Sequence, residues 1–288
     1  MIAHDLAEPG MAAPRERRLR RLLAARPEMV LSPLLFFVLL GAWYVATRWF
    51  TIPEFVLPPP GKVWASLVSG LSASPTDAAG YWYHFFVTLT EGLLGFVIGS
   101  SVGIVLGMAV AHSRVVSRVL YPYIIAMQSL PKVAIAPLFV VWFGFGIEPK
   151  VLITSVITFF PLLVNSIAGC ATVDVDRLEL ARSLGASRWQ VFRKITFPSA
   201  VPFIFAGLNM AAVLSILGAI VGEFVGAQAG LGVLILQYNA NLDIASVYSL
   251  FVVLAVIGLT LHLTMRWLER RFCFWAQRGK QESAREVV

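Results

Sequence analysis

ELARSLGASRWQVFRKITFP, the stretch from Glu179 to Pro198, is the part of this chain that decides its fold. It carries one Glu and four Lys or Arg, and it lies between two long apolar segments. Asp176 precedes Glu179 by three residues, which is the spacing of a capping box at a helix start. Gly185 suits the left-handed position that ends a helix. The pattern therefore predicts a short helix with two defined ends.

A second helix is predicted directly after the first. Ser187 is followed at three residues by Gln190, again with capping-box spacing. Pro198 and Pro202 then mark the return to an apolar segment. The small residues of the first helix leave room for a protein groove to close around it. The alternative is that the helix pair rests on the bilayer surface. Trp189 of the second helix would suit this location, because aromatic side chains bind at the membrane interface.

The composition is that of a membrane protein. Hydrophobic residues make up 58% of the 288 residues and charged residues 14%, whereas soluble domains carry roughly 25% charged residues. Cys170 and Cys273 are far apart, which predicts two free thiols. The four histidines are scattered, so neither a metal site nor a catalytic site is predicted.

Six apolar segments are long enough to cross a bilayer. We predict spans at about 31–50, 85–111, 121–143, 151–171, 202–226 and 246–268. The turn LPPPGKVW leads into a short amphipathic segment over 63–71. Three regions result: a basic N-terminal tail over 1–30, a transmembrane domain over 31–271 and a C-terminal tail over 272–288.

The distribution of positive charge predicts the orientation. Of the 23 Lys and Arg, 19 fall in the N-terminal tail, in the loops after spans two and four, and in the C-terminal stretch from Arg266 to Arg285. Such residues concentrate on the cytoplasmic side of a membrane. Both termini and the quoted stretch are therefore predicted to be cytoplasmic. The net charge of +7 is interpreted by position, because a membrane sorts positive charge, so membrane lipids and not nucleic acid are the expected surroundings.

Span two carries a stripe of glycines at intervals of four residues, at Gly95, Gly99, Gly103 and Gly107. A straight stripe of small residues lets a second helix approach closely. The stripe predicts tight helix packing, but the sequence does not name the partner helix.

Polar residues inside the spans are candidates for a translocation pathway. Span three contains Pro131 and Pro137, each of which removes a backbone donor and predicts a kink. Gln128 and Lys132 flank this break, and a lysine inside a span is a functional candidate unless it reaches the interface. The further candidates are Asn165 and Glu223. Glu91 and Glu223 lie near span ends, where either water or a partner could satisfy them.

At this point a family resemblance is clear. ELARSLGASRWQVFRKITFP resembles the cytoplasmic signature loop of permease subunits of binding-protein-dependent ABC importers, which reads Glu-Ala-Ala, three residues, Gly, about nine residues, Ile and shortly afterwards Pro. The matching positions are Glu179, Leu180, Ala181, Gly185, Ile195 and Pro198, with Leu180 departing from the pattern. LPPPGKVW, SLPKVAIAPLFVVWFGFG and GEFVGAQAGLGVLI are similar to the nitrate/sulfonate/taurine branch. Permeases for riboflavin and thiamine precursors look much the same.

The resemblance implies an all-α membrane fold, the MetI-like type I ABC importer fold, with six transmembrane helices and a cytoplasmic coupling helix between spans four and five. Glu179, Ala181 and Gly185 would belong to the helix that docks on the ATPase, and Ile195 and Pro198 to its return into the membrane. The implied location is the bacterial inner membrane. The implied partners are cytoplasmic ATPase subunits, a second permease copy in a homodimer and a periplasmic substrate-binding protein.

The energy source is expected to lie outside this chain. The sequence has no GxxxxGK[ST] loop for nucleotide phosphates. We therefore expect this chain to bind no cofactor, while ATP and Mg bind to the partner ATPase. An ion-coupled secondary transporter would predict inverted repeats and paired broken helices, and only one broken helix is predicted. An intramembrane enzyme would need clustered acids, nucleophiles or metal ligands.

The substrate is the least determined property. The leading expectation is a small anion such as a sulfonate, taurine or nitrate, and the alternative is a riboflavin or thiamine-pyrimidine precursor. In such importers the binding protein selects the solute.

Overall fold

The structure is a computed structural model that describes residues 28–50, 52–75 and 80–275. The predicted N-terminal tail up to residue 27 and the C-terminal tail from residue 276 lie outside the described residues. The chain divides between Trp64 and Ala65 into two compact units, which are described separately.

In its described residues, the first unit contains one long helix and a proline-rich turn. Helix α1 spans Glu28–Trp49. The Trp43 indole donates to the carbonyl of Pro58 at 3.1 Å, and Lys62 pairs with Glu54 at 2.5 Å. Helix α2, Pro60–Ser72, begins in the turn, because a proline at the first helical position loses no hydrogen bond. This helix covers the predicted amphipathic segment.

The second unit is built from helices of very different lengths. They are α3 Tyr81–Ala111, α4 Arg114–Ser129, a 3₁₀ turn Lys132–Ile135, α5 Ala136–Phe143, α6 Glu148–Ala171, α7 Val175–Ser183, α8 Arg188–Val191, α9 Phe197–Gly226, α10 Leu231–Ala240 and α11 Ile244–Phe272.

The apolar helices correspond to the predicted spans. Among the described residues five helices are long and apolar enough to cross a membrane, and a bent pair can form a sixth span. The pair joins α4 to the segment Lys132–Phe143 with a bend of 76°. Pro131 lies at the bend, where the missing N–H ends the first helix. The predicted break in span three is therefore present.

Helices α3, α6 and α9 form the centre of the second unit. Helix α6 packs extensively against both others. The glycine stripe of α3 faces α6: a Cβ on Gly103 would lie 2.6 Å from the carbonyl oxygen of Phe159, and one on Gly107 would lie 2.6 Å from the Cβ of Ser166. Only glycine permits this approach of the two backbones.

Helix α10 is an element that the sequence analysis did not predict. At ten residues it is too short to cross a bilayer, so its apolar run falls between the predicted spans 202–226 and 246–268. Leu231 and Leu234 pack against Ile220 of α9 and Leu250 of α11 in one buried cluster. Helix α10 therefore fills the space between two spans at the end of α9.

Large apolar side chains cover much of the outside of the second unit. Exposed examples lie on four different helices: Leu94 and Val105 on α3, Val119 on α4, Trp142 on α5, and Val256 and Leu263 on α11. Water disfavours such a surface, so lipid or other subunits are its expected surroundings.

Candidate functional site

Helix α7 begins at a cap that differs from the prediction. Asp174 is the N-cap, and its carboxylate accepts from the Asp176 amide at 3.0 Å. The predicted capping box that begins at Asp176 is therefore wrong, since Asp176 lies in the first turn of the helix. The earlier start is possible because Asp174 has the extended backbone that an N-cap requires.

The end of α7 matches the prediction. Gly185 has φ +75°, a left-handed conformation that costs other L-residues about 1–2 kcal/mol. The Gly185 amide donates to the carbonyl of Arg182 at 2.9 Å, and the Ala186 amide donates to that of Ala181 at 3.0 Å. These bonds satisfy carbonyls that the helix end leaves without partners.

The second short helix has the predicted start and a different end. Ser187 Oγ accepts from the Gln190 amide at 3.3 Å, and Gln190 Oε1 accepts from the Ser187 amide at 2.8 Å, which completes the capping box. Helix α8 then passes through a π-helical turn, Phe192–Thr196, into α9. The second helix is thus an extension of the following span, because no residue between them breaks the backbone hydrogen bonds.

Three of the five signature positions come together in space. Ala181 of α7, Ile195 of the π turn and Pro198 of α9 line one cavity of about 620 Å³. Leu180 and Leu184 line the same cavity. Glu179 is exposed on α7 and Gly185 ends that helix, so these two positions lie outside the surface that the other three form between α7 and α9.

The opposite face of α7 lines a second, basic cavity of about 770 Å³. Arg182 lies there with Arg118 of α4 and Arg188 of α8. Helix α7 therefore lies between a mainly apolar cavity, whose lining also includes Arg177 and Lys194, and a second cavity that is lined by three arginines.

The tip of α7 is strongly exposed and apolar. Leu180 is 62% exposed and Leu184 is 78% exposed. Side chains of this kind on a short, firmly capped helix are typical of a surface that meets another protein. The arrangement can transmit force, because α7 follows α6 and leads through α8 into α9.

The pathway candidates do not form one cluster. Lys132 donates to the carbonyl of Gln128 at 2.7 Å and lies 4.9 Å from the ring centre of Phe160. The Asn165 side chain donates to the carbonyl of Pro161 at 2.8 Å within its own helix. Gln128 and Lys132 are thus adjacent at the broken span, while Asn165 lies apart on α6.

Glu223 occupies a buried polar cluster and is only 1% exposed. Its carboxylate accepts from the Thr88 hydroxyl at 2.6 Å and from the Gly232 amide at 2.5 Å. The Leu231 amide donates to the Thr88 hydroxyl at 2.8 Å. These bonds join α3, the end of α9 and the start of α10.

Two residues that the sequence analysis left out of the site complete this cluster. Lys150 of α6 donates to Glu91 of α3 in a buried ion pair. The predicted fourth span begins at residue 151, which leaves Lys150 in a loop, and Glu91 near a span end was open to either water or a partner. The structure shows both side chains buried, at 8% and 2% exposure. A lysine next to the start of an apolar segment was the available signal, but the sequence does not reveal its partner 59 residues away.

Comparison with known proteins identifies the family. The family model described as "Binding-protein-dependent transport system inner membrane component" matches residues 99–273, which include the signature loop, α6 and α9. The chain belongs to this family. It is an inner-membrane permease subunit of an ABC importer for small solutes.

Curated relatives of the permease cover most of its length. It is 35% identical to the riboflavin transport system permease protein RibX of Chloroflexus aurantiacus, over 84% of this chain and 89% of that protein. It is 31% identical to the formylaminopyrimidine transport permease protein ThiX of Halalkalibacterium halodurans, over 88% of this chain and 99% of that protein. It is 32% identical to the taurine transport system permease protein TauC of Escherichia coli, over 83% of this chain and 86% of that protein.

Solved structures support the fold. An inward-facing structure of the MetNI methionine ABC transporter superposes with a TM-score of 0.53 at 20% identity, over 74% of the permease and 98% of that chain. A crystal structure of an amino acid ABC transporter with histidines superposes with a TM-score of 0.50 at 19% identity, over 78% of the permease and 99% of that chain. The predicted all-α, MetI-like fold is confirmed. ABC permeases are transport subunits, and a separate subunit hydrolyses ATP.

Proposed function

We propose that this permease forms the pathway for a small solute that a periplasmic binding protein delivers, and that α7 is its coupling helix. The observation that carries the proposal is the exposed apolar tip of α7, Leu180 and Leu184, held between two caps. A groove of the ATPase would bury these side chains, and the caps would keep the helix folded when the ATPase moves it.

Movement of the ATPase subunits would reach the pathway through the core. Helix α7 is joined by short connections to α6 on one side and, through α8, to α9 on the other, and these two helices pack extensively against each other. A displaced α7 would therefore move α6 and α9 together as a rigid body. ATP and Mg would be bound by the ATPase, and this chain would bind no cofactor.

The assignment of sides follows from charge. Lys and Arg concentrate in the α7–α8 region and in the two tails, which supports a cytoplasmic location for these segments and for both termini. Exposed apolar side chains on α3, α4 and α5 offer a surface for a second copy of the permease. We therefore propose a homodimer with the pathway between its two subunits.

A direct test of docking is copurification with the partner ATPase. Leu184→Asp should abolish binding of the ATPase, because a carboxylate would be buried without a partner in an apolar groove. The matched control is Leu242→Asp, which replaces a leucine that is also strongly exposed, at 69%, in the turn between α10 and α11. Retention of the ATPase by Leu184→Asp, or its equal loss from both variants, would contradict the docking role.

The pathway proposal rests on Gln128 and Lys132 at the broken span. An irregular segment at membrane depth occurs where it lines a cavity or is buried in protein, and Lys132 supplies a positive charge there. Asn165 is a weaker candidate because its amide is engaged within α6. Glu223 is fully buried and bonded, which supports a positioning role for it. Replacing both Gln128 and Lys132 by Leu should reduce uptake, and unchanged uptake would remove them from the pathway.

The substrate proposal follows from Lys132. A cation at the pathway suits a small anion such as a sulfonate, taurine or nitrate. A vitamin precursor is the second candidate, because permeases named for riboflavin and formylaminopyrimidine are 35% and 31% identical to this chain. Calorimetric titration of the cognate binding protein with taurine, nitrate, riboflavin and formylaminopyrimidine would separate the two classes.

A further inference from the structure

The cavity that contains Arg182 of α7 lies where two of the apolar helices end. It has a volume of about 770 Å³. Helix α3 ends at Ala111 and α6 ends at Ala171, and both residues line the cavity. Because these two spans stop there, the cavity lies near the level at which the bilayer meets water.

Three arginines from three helices converge on this cavity. They are Arg118 of α4, Arg182 of α7 and Arg188 of α8, and all three are exposed. Among the described residues that line the cavity there is no Asp or Glu, and both ion pairs in the described part of the chain use lysine. The three guanidinium groups therefore have no carboxylate partner there. The general excess of Lys and Arg on one side of a membrane does not require three of them to share one cavity without an acidic residue.

Two hydroxyl groups at the cavity are also available to a ligand. Ser117 and Thr196 line it, and neither side chain makes a hydrogen bond within the described residues. By contrast, Ser129 of α4 and Ser199 of α9 donate to the carbonyls four residues earlier, at 2.9 and 2.8 Å. Guanidinium and hydroxyl groups are donors from which the oxygens of a phosphate group accept.

Part of the cavity wall is apolar. Met108, Ile167 and Phe192 line it, and each is buried or half-buried. A free phosphate ion would leave this wall in contact with water, whereas a phospholipid would cover it with its glycerol and first methylene groups. Basic pockets between transmembrane helices are places where anionic lipid headgroups bind.

We propose that this cavity binds the phosphate group of an anionic phospholipid. The phosphate oxygens accept hydrogen bonds from Arg118, Arg182 and Arg188, and the apolar wall contacts the glycerol. The bound lipid links α4 to α7 and α8. This site goes beyond the proposed coupling role of α7, because the lipid binds without the ATPase.

Thermal unfolding of the purified full chain in detergent tests the proposal. Short-chain phosphatidylglycerol should raise the unfolding midpoint, because a ligand that binds the folded state stabilises it. Phosphatidylcholine of the same chain length, which has no net charge, and inorganic phosphate, which has no glycerol, should leave the midpoint nearly unchanged. An equal shift with inorganic phosphate would show a site for a soluble anion, and an equal shift with phosphatidylcholine would show unspecific lipid binding. Either result would overturn the proposal.

A triple variant ties the effect to the cavity. Arg118→Gln combined with Arg182→Gln and Arg188→Gln should weaken the affinity for phosphatidylglycerol roughly tenfold or more, since a single hydrogen bond to a charged group contributes about that much.

The matched control removes three exposed arginines that do not line the cavity. It combines Arg193→Gln, Arg270→Gln and Arg271→Gln, so the net charge falls by the same amount. This control should keep the wild-type affinity for phosphatidylglycerol. Equal affinities of the two triple variants would overturn the proposal.

Native mass spectrometry of the wild type gives a readout that needs no variant. Offered phosphatidylglycerol and phosphatidylcholine together, the permease should retain one phosphatidylglycerol per chain, and retention without preference would overturn the proposal. The same follows if phosphatidylglycerol does not stabilise the wild type while the Arg118, Arg182 and Arg188 triple variant loses the ATPase on copurification, since the cavity would then be a protein contact. Leu184→Asp tests the coupling role of α7 separately, so the two proposals fail independently.

Discussion

The Thr158 hydroxyl of α6 lies 3.2 Å from the main-chain carbonyl oxygen of Gly95 in α3. A side chain reaches the backbone of a neighbouring helix in this way only where the two helices are very close. The close approach continues along the stripe from Gly95 to Gly107, and it holds together two of the three central helices.

Gly103→Leu should destabilise the permease. The new side chain would meet the Phe159 carbonyl and the Leu162 side chain, and overpacking of this kind costs typically about 1–3 kcal/mol. The thermal unfolding midpoint in detergent measures the effect. Gly258→Leu on α11 is the control, because a Cβ there meets nothing within 4 Å. Equal midpoints for the two variants would show that the stripe is not tightly packed.

Gly185→Val should weaken helix α7 without disturbing the membrane core. The position has φ +75° and open space around it, so the cost arises from backbone strain alone. A strain of about 1–2 kcal/mol corresponds to a roughly 5- to 30-fold change in an equilibrium. Titration of the purified permease with the ATPase should show this loss of affinity for Gly185→Val. Gly185→Asn should retain most of the affinity, since Asn tolerates the left-handed region; equal losses would contradict the strain argument.

Cys273 should react slowly with alkylating reagents below pH 11. The thiol is 2% exposed, and burial together with the nearby Glu269 carboxylate raises its pKa to about 11, above the usual value of about 8.5. Since the thiolate is the nucleophile, the alkylation rate should rise about tenfold per pH unit up to that pKa. Iodoacetamide labelling of a Cys170→Ser variant measures it. A rate that levels off near pH 8.5 would show an ordinary thiol.

Much of the fold could be predicted because its causes are local. Long apolar runs specify spans, Pro131 specifies the break, and Gly185 and the Ser187–Gln190 pair specify helix ends. The helix start at Asp174 was missed because Asp174 and Asp176 are both good caps, and the sequence does not say which one adopts an extended backbone.

The buried cluster could not be predicted because its causes are distant in sequence. Glu91 and Lys150 are 59 residues apart, and Thr88 and Glu223 are 135 residues apart. Each residue taken alone fits a water-exposed span end. Only the packing of α3 against α6 and α9 removes that water and makes the residues partners.

The most direct test of the account is solute uptake into proteoliposomes that contain the permease, its ATPase and its binding protein. Uptake of the solute that the binding protein selects should require ATP on the ATPase side, and it should stop when Leu184→Asp prevents docking. Uptake driven by an ion gradient in vesicles that contain the permease alone would contradict the claim that α7 transmits the work of a separate ATPase.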